Sequence, residues 1–471
     1  MPCTWKWAGV CWSNPRKLER SWNLNPAGRR TSVAPFRFDI RDKMMKGFLT
    51  ALLSLLCPGL YAAAISVAPG ELEEALADAP DGAVMAIQPG VHTGNFRIEK
   101  PVTLIGEEGA IVDGGGQGHI LWIDAPDVTI RNLHLRNSGV NLTDTDAAIY
   151  TTRDATGVRL IDNRIEARGF GIWLHGSHEA LVEGNHISGD ITLRHQDRGN
   201  GIHLFNTRHS LVKNNVVWET RDGIYIDFSH NNRLEGNHLH SQRYGVHYMN
   251  SNDNEVVGNR SWNNRAGFAL MQSRRLDIIG NHSEGDEGYG FLINDMQDST
   301  ITDNTAIAIT ASTNPRTGTP IRGSEGKAMF IYNSQFNTFR RNHLERTDIG
   351  IHLTAGSENN EIHENALINN RSQVMYVATR KQEWSIDGRG NYWSDYMGWD
   401  LAGDGIGDVP HEPNDAVDRL FWTYPMARIL MNSPAVQLLR WVQREFPVLR
   451  PPGVTDSAPL MRPAPQQDFS T

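Results

Sequence analysis

The sequence predicts an all-β protein, a right-handed parallel β-helix built from coils of about 22 residues. Three observations carry that prediction. A glycine repeatedly opens a short apolar strand, at Gly171-Ile-Trp-Leu, Gly201-Ile-His-Leu, Gly223-Ile-Tyr-Ile, Gly245-Val-His-Tyr, Gly267-Phe-Ala-Leu and Gly290-Phe-Leu-Ile. An asparagine follows each glycine by 14 positions, at Asn185, Asn215, Asn237, Asn259, Asn281 and Asn304. No helical pattern intervenes, and the Leu-x-x-Leu-x-Leu signature of the other common short solenoid is missing. Ala328 takes the glycine position for Asn342, and Gly350 opens a coil that ends near Asn365. The asparagines lie 22 apart from Asn215 to Asn281, but 30 apart between Asn185 and Asn215 and 38 apart between Asn304 and Asn342, so loop insertions are expected near 188–200 and 309–327.

Length and composition agree. A chain of 471 residues is too long for one ordinary core, which calls for several domains or a repeat. Its net charge of −9 excludes a general nucleic-acid binder, whose footprint is basic. In chain order, residues 1–44 are Trp-rich and non-periodic and read as an upstream segment from a misassigned start. Residues 45–64 read as a secretory signal peptide: Lys46, an apolar run from Phe48 to Leu60, then Ala62, Ala63 and Ala64. Cleavage there removes Cys3, Cys11 and Cys57, leaving a mature chain without disulfides or thiolate metal sites. Glu71 to Ala79 is expected to form a helix capping the stack, and weaker coils begin at Val84, Val102 and Val128. The β-helix is expected to span 65–390, followed by a cap with an amphipathic helix over 391–446 and a Pro-rich, mostly disordered tail over 447–471.

Period-two alternation assigns faces within each glycine-opened strand. Offsets one and three from glycine are apolar and point inward; offsets two and four point outward. The offset-two column reads Trp173, His203, Tyr225, His247, Ala269, Leu292, Phe330, His352, and the offset-four column reads His175, Phe205, Asp227, Met249, Met271, Asn294, Tyr332, Thr354. Met249 and Met271 fall in one column on adjacent coils, with His247 on the same face. Thioether and imidazole together suit Cu(I), so His247, Met249 and Met271 are the leading ligand candidates, with His203, Asp227 and His175 nearby. The competing reading packs these side chains beneath a loop or a partner. The repeated asparagine is read as a structural ladder, because asparagine amides hydrogen-bond along a column. Asp222, Asp227 and Asp253 are too scattered in this register to form the carboxylate pair a glycosidase needs, and no Asp-Pro-His-Asp epimerase signature is present.

Near the C-terminus, Asp400, Asp404 and Asp408 lie on a Gly-rich loop and suit either calcium, through hard oxygens, or a tight turn. Ser433-Pro434 opens a helix carrying Leu438, Leu439, Trp441, Val442 and Phe446 on one stripe, expected to cover the last coil or dock on a membrane partner. The Gly-Ile-x-Leu repeat, Asn391-Tyr-Trp-Ser-Asp-Tyr, Gly403-Asp-Gly-Ile-Gly-Asp408 and Ser433-Pro-Ala-Val-Gln-Leu-Leu-Arg-Trp together resemble the NosD family over about residues 65–450. The resemblance implies a non-enzymatic periplasmic accessory protein of nitrous-oxide reductase. It implies action with an ABC transporter's membrane subunit and ATPase, and with a copper-chaperone lipoprotein, to assemble the reductase's copper–sulfide centre. Ala402 stands where relatives often carry another Asp, which weakens the calcium reading of the loop. The chain has no Gly-x-x-x-x-Gly-Lys-Ser/Thr loop, so any ATP is hydrolysed by a partner. Two other classes stay open: a secreted polysaccharide lyase or epimerase, and a metal-free structural adaptor.

Overall fold

The computed structural model describes residues 64–467, apart from 315, 322, 355, 378–379, 415–416, 418–423, 431–432 and 446–452. The upstream segment, the signal peptide and Phe446 therefore lie outside the described residues. Strands wind into three parallel sheets of 13, 12 and 13 strands, and each strand pairs with its equivalent one coil away. The first sheet runs from Ile65–Val67 to Glu361–His363, the second from Phe96–Ile98 to Ser372–Val377, and the third from Gly90–Thr93 to Tyr392–Trp393. This is the expected β-helix.

Alternation holds inside each strand. Ile224 and Ile226, Val246 and Tyr248, Phe268 and Leu270, and Phe291 and Ile293 point inward and are fully buried. The repeated glycine is required by how closely the coils approach. A Cβ on Gly245 would stand 2.7 Å from the Gly267 carbonyl oxygen, and one on Gly223 would stand 2.5 Å from that of Gly245. Each asparagine occupies one place in an unbroken ladder. From Asn163 through Asn185, Asn215, Asn237, Asn259, Asn281, Asn304, Asn342 and Asn365 to Asn391, each backbone N–H and side-chain Nδ2 donates to the next Oδ1 at 2.8–3.1 Å. The ladder satisfies, inside the wall, backbone groups that the turns leave unpaired.

At the N-terminal end, helix α1 (Leu72–Asp78) buries Leu72 and Leu76 against the first coils. The C-terminal end differs from expectation in three ways. The solenoid extends past 390, because Tyr392–Trp393 still pairs in the third sheet. Residues 453–467 of the stretch read as a disordered tail fold back. Val454–Thr455 pairs with Gln382–Glu383, Leu460 is buried, and Asp456 receives hydrogen bonds from the Asn391 amide and from Trp393 Nε1, both 2.7 Å. Its prolines allow this, since the strand pairs are short and the anchoring falls on Val454, Asp456 and Leu460. Finally, of the two roles expected of it, helix α2 (Pro434–Glu445) does not take the first, covering the last coil: Leu438, Leu439 and Trp441 are exposed.

Candidate functional site

The outward columns of the second sheet form as the alternation requires, and the pairing fixes their register. Every strand in this region ends at a residue before one with left-handed backbone, at Asn206, Phe228, Asn250, Gln272 and Asp295. The turn therefore places Phe205, Asp227, Met249, Met271 and Asn294 each as the last residue of its strand, in one continuous row. Met249 and Met271 are direct partners, about 4.8 Å apart at the backbone. Asp227 is the partner of Met249 on the other side. His247 stands two residues before Met249, about 7 Å along the strand and on the same face.

The remaining candidates do not converge on that point. Tyr225 separates His203 from His247 in the register, which puts the two imidazoles' backbones about 10 Å apart. Phe205 separates His175 from Asp227. His203 is also enclosed. Its ring lies 3.8 Å from Trp173 and 4.6 Å from Tyr225 between centroids, and its Nε2 is buried with no hydrogen-bond partner. Burial holds its pKa down at about 3, so the imidazole is neutral at any physiological pH. It belongs to a ladder of rings, Trp122, Tyr150, Trp173, His203, Tyr225 and His247, one per coil. The ladder stops at Ala269, beside the two methionines.

The side chain the sequence reading passed over is Asp222. It is buried and occupies the position just before the strand's glycine, one coil from Tyr244. Arg243 reaches it with Nε and Nη2 at 2.8 and 2.5 Å, and His247 Nδ1 lies 2.9 Å from Oδ2. Burial alone would raise the Asp222 pKa, but the hydrogen bonds from His247 and Arg243 outweigh it and hold the carboxyl at about 2. A carboxylate so placed accepts from Nδ1–H and turns the Nε2 lone pair of the neutral tautomer elsewhere. This is how outer-shell carboxylates orient metal-ligating histidines. Asp227, by contrast, is pushed up by burial, partly offset by a hydrogen bond with Asn250. Its position in the row next to Met249 was legible in the sequence. Asp222 was not, because its role depends on a salt bridge to the following coil.

The catalytic reading finds no support in these positions. Asp222 is engaged by Arg243, and Asp253 is spent on Arg275 at 2.5 and 2.8 Å on an outer turn. The C-terminal loop uses its carboxylates on its own amides. Asp400 accepts from Gly403 and Gly405 at 2.6 and 2.8 Å, Asp404 from Ile406 at 3.0 Å, and Asp408 from Leu401 at 2.6 Å. Among the described residues, no three His, Cys, Asp or Glu side chains gather as a metal cluster, so a soft-metal site here would have to draw on methionine.

A family model described as "Periplasmic copper-binding protein (NosD)" matches residues 183–398, which include His203, Asp227, His247, Met249 and Met271. The "Probable ABC transporter binding protein NosD" of Pseudomonas aeruginosa is 55% identical over 374 residues, 79% of this chain and 87% of that protein. The chain belongs to the NosD family. A second member, of the same name, from Stutzerimonas stutzeri, is 50% identical over 416 residues, covering 88% of this chain and 94% of its own length. NosD relatives are thus named as binding proteins rather than enzymes. Among solved structures, the Streptococcus pneumoniae surface adhesin PfbA aligns with a TM-score of 0.50 at 13% identity, over 66% of this chain and 91% of that one. A Yersinia enterocolitica family 28 exopolygalacturonase aligns with a TM-score of 0.50 at 10% identity, over 67% and 77%. An adhesin and a hydrolase on the same scaffold establish the β-helix and nothing about chemistry.

Proposed function

We propose that this NosD protein is a periplasmic copper-handling scaffold for assembly of the copper–sulfide centre of nitrous-oxide reductase. It receives Cu(I) as cargo and releases it to the maturing enzyme. The observation that carries this reading is the in-register row Asp227, Met249, Met271 beside His247, whose Nδ1 is held by Asp222, in a family described as copper-binding. Met249, Met271 and His247 Nε2 supply soft and borderline donors, and Asp227 supplies charge. His203, in the ring ladder, and His175, further along the row of Asp227 and Met249, are kept as flanking positions that the ion could visit after movement of Tyr225 or Phe205. Few donors and a half-open surface favour a site that binds weakly enough to pass the ion on.

The partners in this reading are an ABC transporter's membrane subunit with its ATPase, a copper-chaperone lipoprotein and the reductase itself. The relatives' shared name supports the transporter. The test is complementation of a denitrifying host that lacks this chain, read by the visible absorption of the purified reductase's copper–sulfide centre. The wild-type chain restores that absorption, and the His247→Ala, Met249→Leu, Met271→Leu triple variant leaves it at the level of the deletion while accumulating normally. Full restoration by the triple variant would remove the site. Restoration by a chain that never binds copper would leave a metal-free adaptor.

A further inference from the structure

The third sheet carries a column of histidines on its outward face. His186, His238, His282 and His343 each follow a ladder asparagine directly, and each opens its strand. In two of these strands the residue two positions on is a glutamate that takes the imidazole. His282 Nε2 lies 3.2 Å from Glu284 Oε2, and His343 Nε2 lies 2.8 Å from Glu345 Oε2. In the strand His238–His240 a second histidine holds that place instead. Leu239 between them is fully buried, so alternation puts both imidazoles on the outer face, about 7 Å apart along the strand. His238 is exposed, and its ring nitrogens meet no hydrogen-bond partner among the described residues.

His240 is oriented by its neighbours. Its ring stacks between Trp218 on the coil before and Trp262 on the coil after, with centroids 6.0 and 4.5 Å away and planes tilted by 7° and 18°. The two indoles fix the plane of the ring without occupying its nitrogens. Nδ1 lies 3.2 Å from Ser241 Oγ, and with Nδ1–H donating there the neutral ring keeps its lone pair on Nε2. Two imidazoles on one face of one strand can converge on a single ion. The neighbouring positions of these columns hold no thioether, and among the described residues no three His, Cys, Asp or Glu side chains gather as a metal cluster. The donors are therefore two imidazole nitrogens, with water completing the shell, a set that suits a borderline divalent ion. We propose that His238 and His240 bind one divalent ion of the zinc(II) and copper(II) class. This site shares no residue with the Met249 and Met271 row, and the proposal stands whether or not Cu(I) binds there.

The test is aerobic titration of the exported, metal-stripped protein with Cu(II), with Zn(II) as competitor. The His247→Ala, Met249→Leu, Met271→Leu variant is the background, so that the second sheet's columns do not contribute. Because Trp218 and Trp262 flank His240, bound Cu(II) quenches tryptophan fluorescence, and its EPR spectrum carries coupling to two nitrogens. One Cu(II) binds per chain, and Zn(II) displaces it. His238→Ala and His240→Ala, read by EPR, each lower the affinity at least tenfold. His282→Ala, whose imidazole is tied to Glu284, leaves the affinity unchanged. Arg260→Gln, which removes the cation in register with His238, raises it. All four changes lie on the outer face, and an unchanged melting curve confirms that the solenoid is intact. Absence of saturable Cu(II) and Zn(II) binding, or undiminished affinity in both His238→Ala and His240→Ala, would overturn the proposal. An equal loss in His282→Ala would also overturn it and assign the binding to surface histidines at large.

Discussion

Asp222 and Asp286 show how one residue type is used in opposite ways within the same wall. Asp222 is paired by Arg243 and His247 and ionised at every physiological pH. Its folded pKa, about 2, lies below the ordinary carboxyl value of 3.8. The stability it contributes is therefore complete above pH 4 and is lost as pH falls from about 4 to 2. Asp222→Asn leaves Arg243 half-paired and costs about 3 kcal/mol at pH 7, measured by urea unfolding. Asp286 is buried with hydrogen bonds from Ser283, Ser261 and the Asn264 amide at 2.6, 2.8 and 2.7 Å, and among the described residues no cation pairs with it. Burial outweighs those bonds and raises its pKa to about 6. The sign is reversed: its contribution is full below pH 4 and falls away as pH rises to 6. Asp286→Asn, which continues the amide column from Gln242 and Asn264, is expected to raise the melting temperature at pH 7 and flatten its decline between pH 4 and 6. Neither role was visible in the sequence. Asp222 stands in register with Tyr244 at the start of its strand, where Arg243 and His247 reach it, whereas Asp286 continues the inner amide column of Gln242 and Asn264.

At the scale of the element, the asparagine ladder is the part most fully legible in advance. A fixed 14-residue interval after glycine on coil after coil leaves no explanation but an aligned column. Its energetic weight follows from its wiring. Asn259 accepts from both nitrogens of Asn237 and donates to the Leu234 carbonyl at 3.0 Å. Asn259→Ala orphans several buried groups at once, and a loss of about 2–4 kcal/mol in urea unfolding is expected. The ladder's end was not legible. Its last asparagine, Asn391, is met by Asp456 from a segment whose prolines suggest disorder. Proline composition reports that a segment cannot make regular structure, not that it cannot dock through two or three buried side chains. Asp456→Ala is expected to expose this end, lowering the melting temperature and raising proteolysis of the last coil, whereas Asp456→Asn retains the acceptor for Asn391 and stays closer to the wild type.

For the whole molecule, periodicity determined the faces and the register determined which outward residues are neighbours. The pairing of Met249 with Met271 could be read from the sequence, since both lie four residues after their glycines and the coils between them carry no insertion. The enclosure of His203 could not, because it depends on the rings stacked on either side. The solenoid thus presents one long outward sheet on which a closed aromatic ladder gives way to a half-open pair of thioethers. Copper handling at that transition is the central claim. Anaerobic Cu(I) titration of the exported protein against a competing chelator tests it most directly, with His247→Ala, Met249→Leu and Met271→Leu run alongside. The account predicts one Cu(I) per chain, with affinity reduced at least tenfold by each methionine change and by His247→Ala. Undiminished Cu(I) binding in all three variants, or none in the wild-type protein, would contradict it.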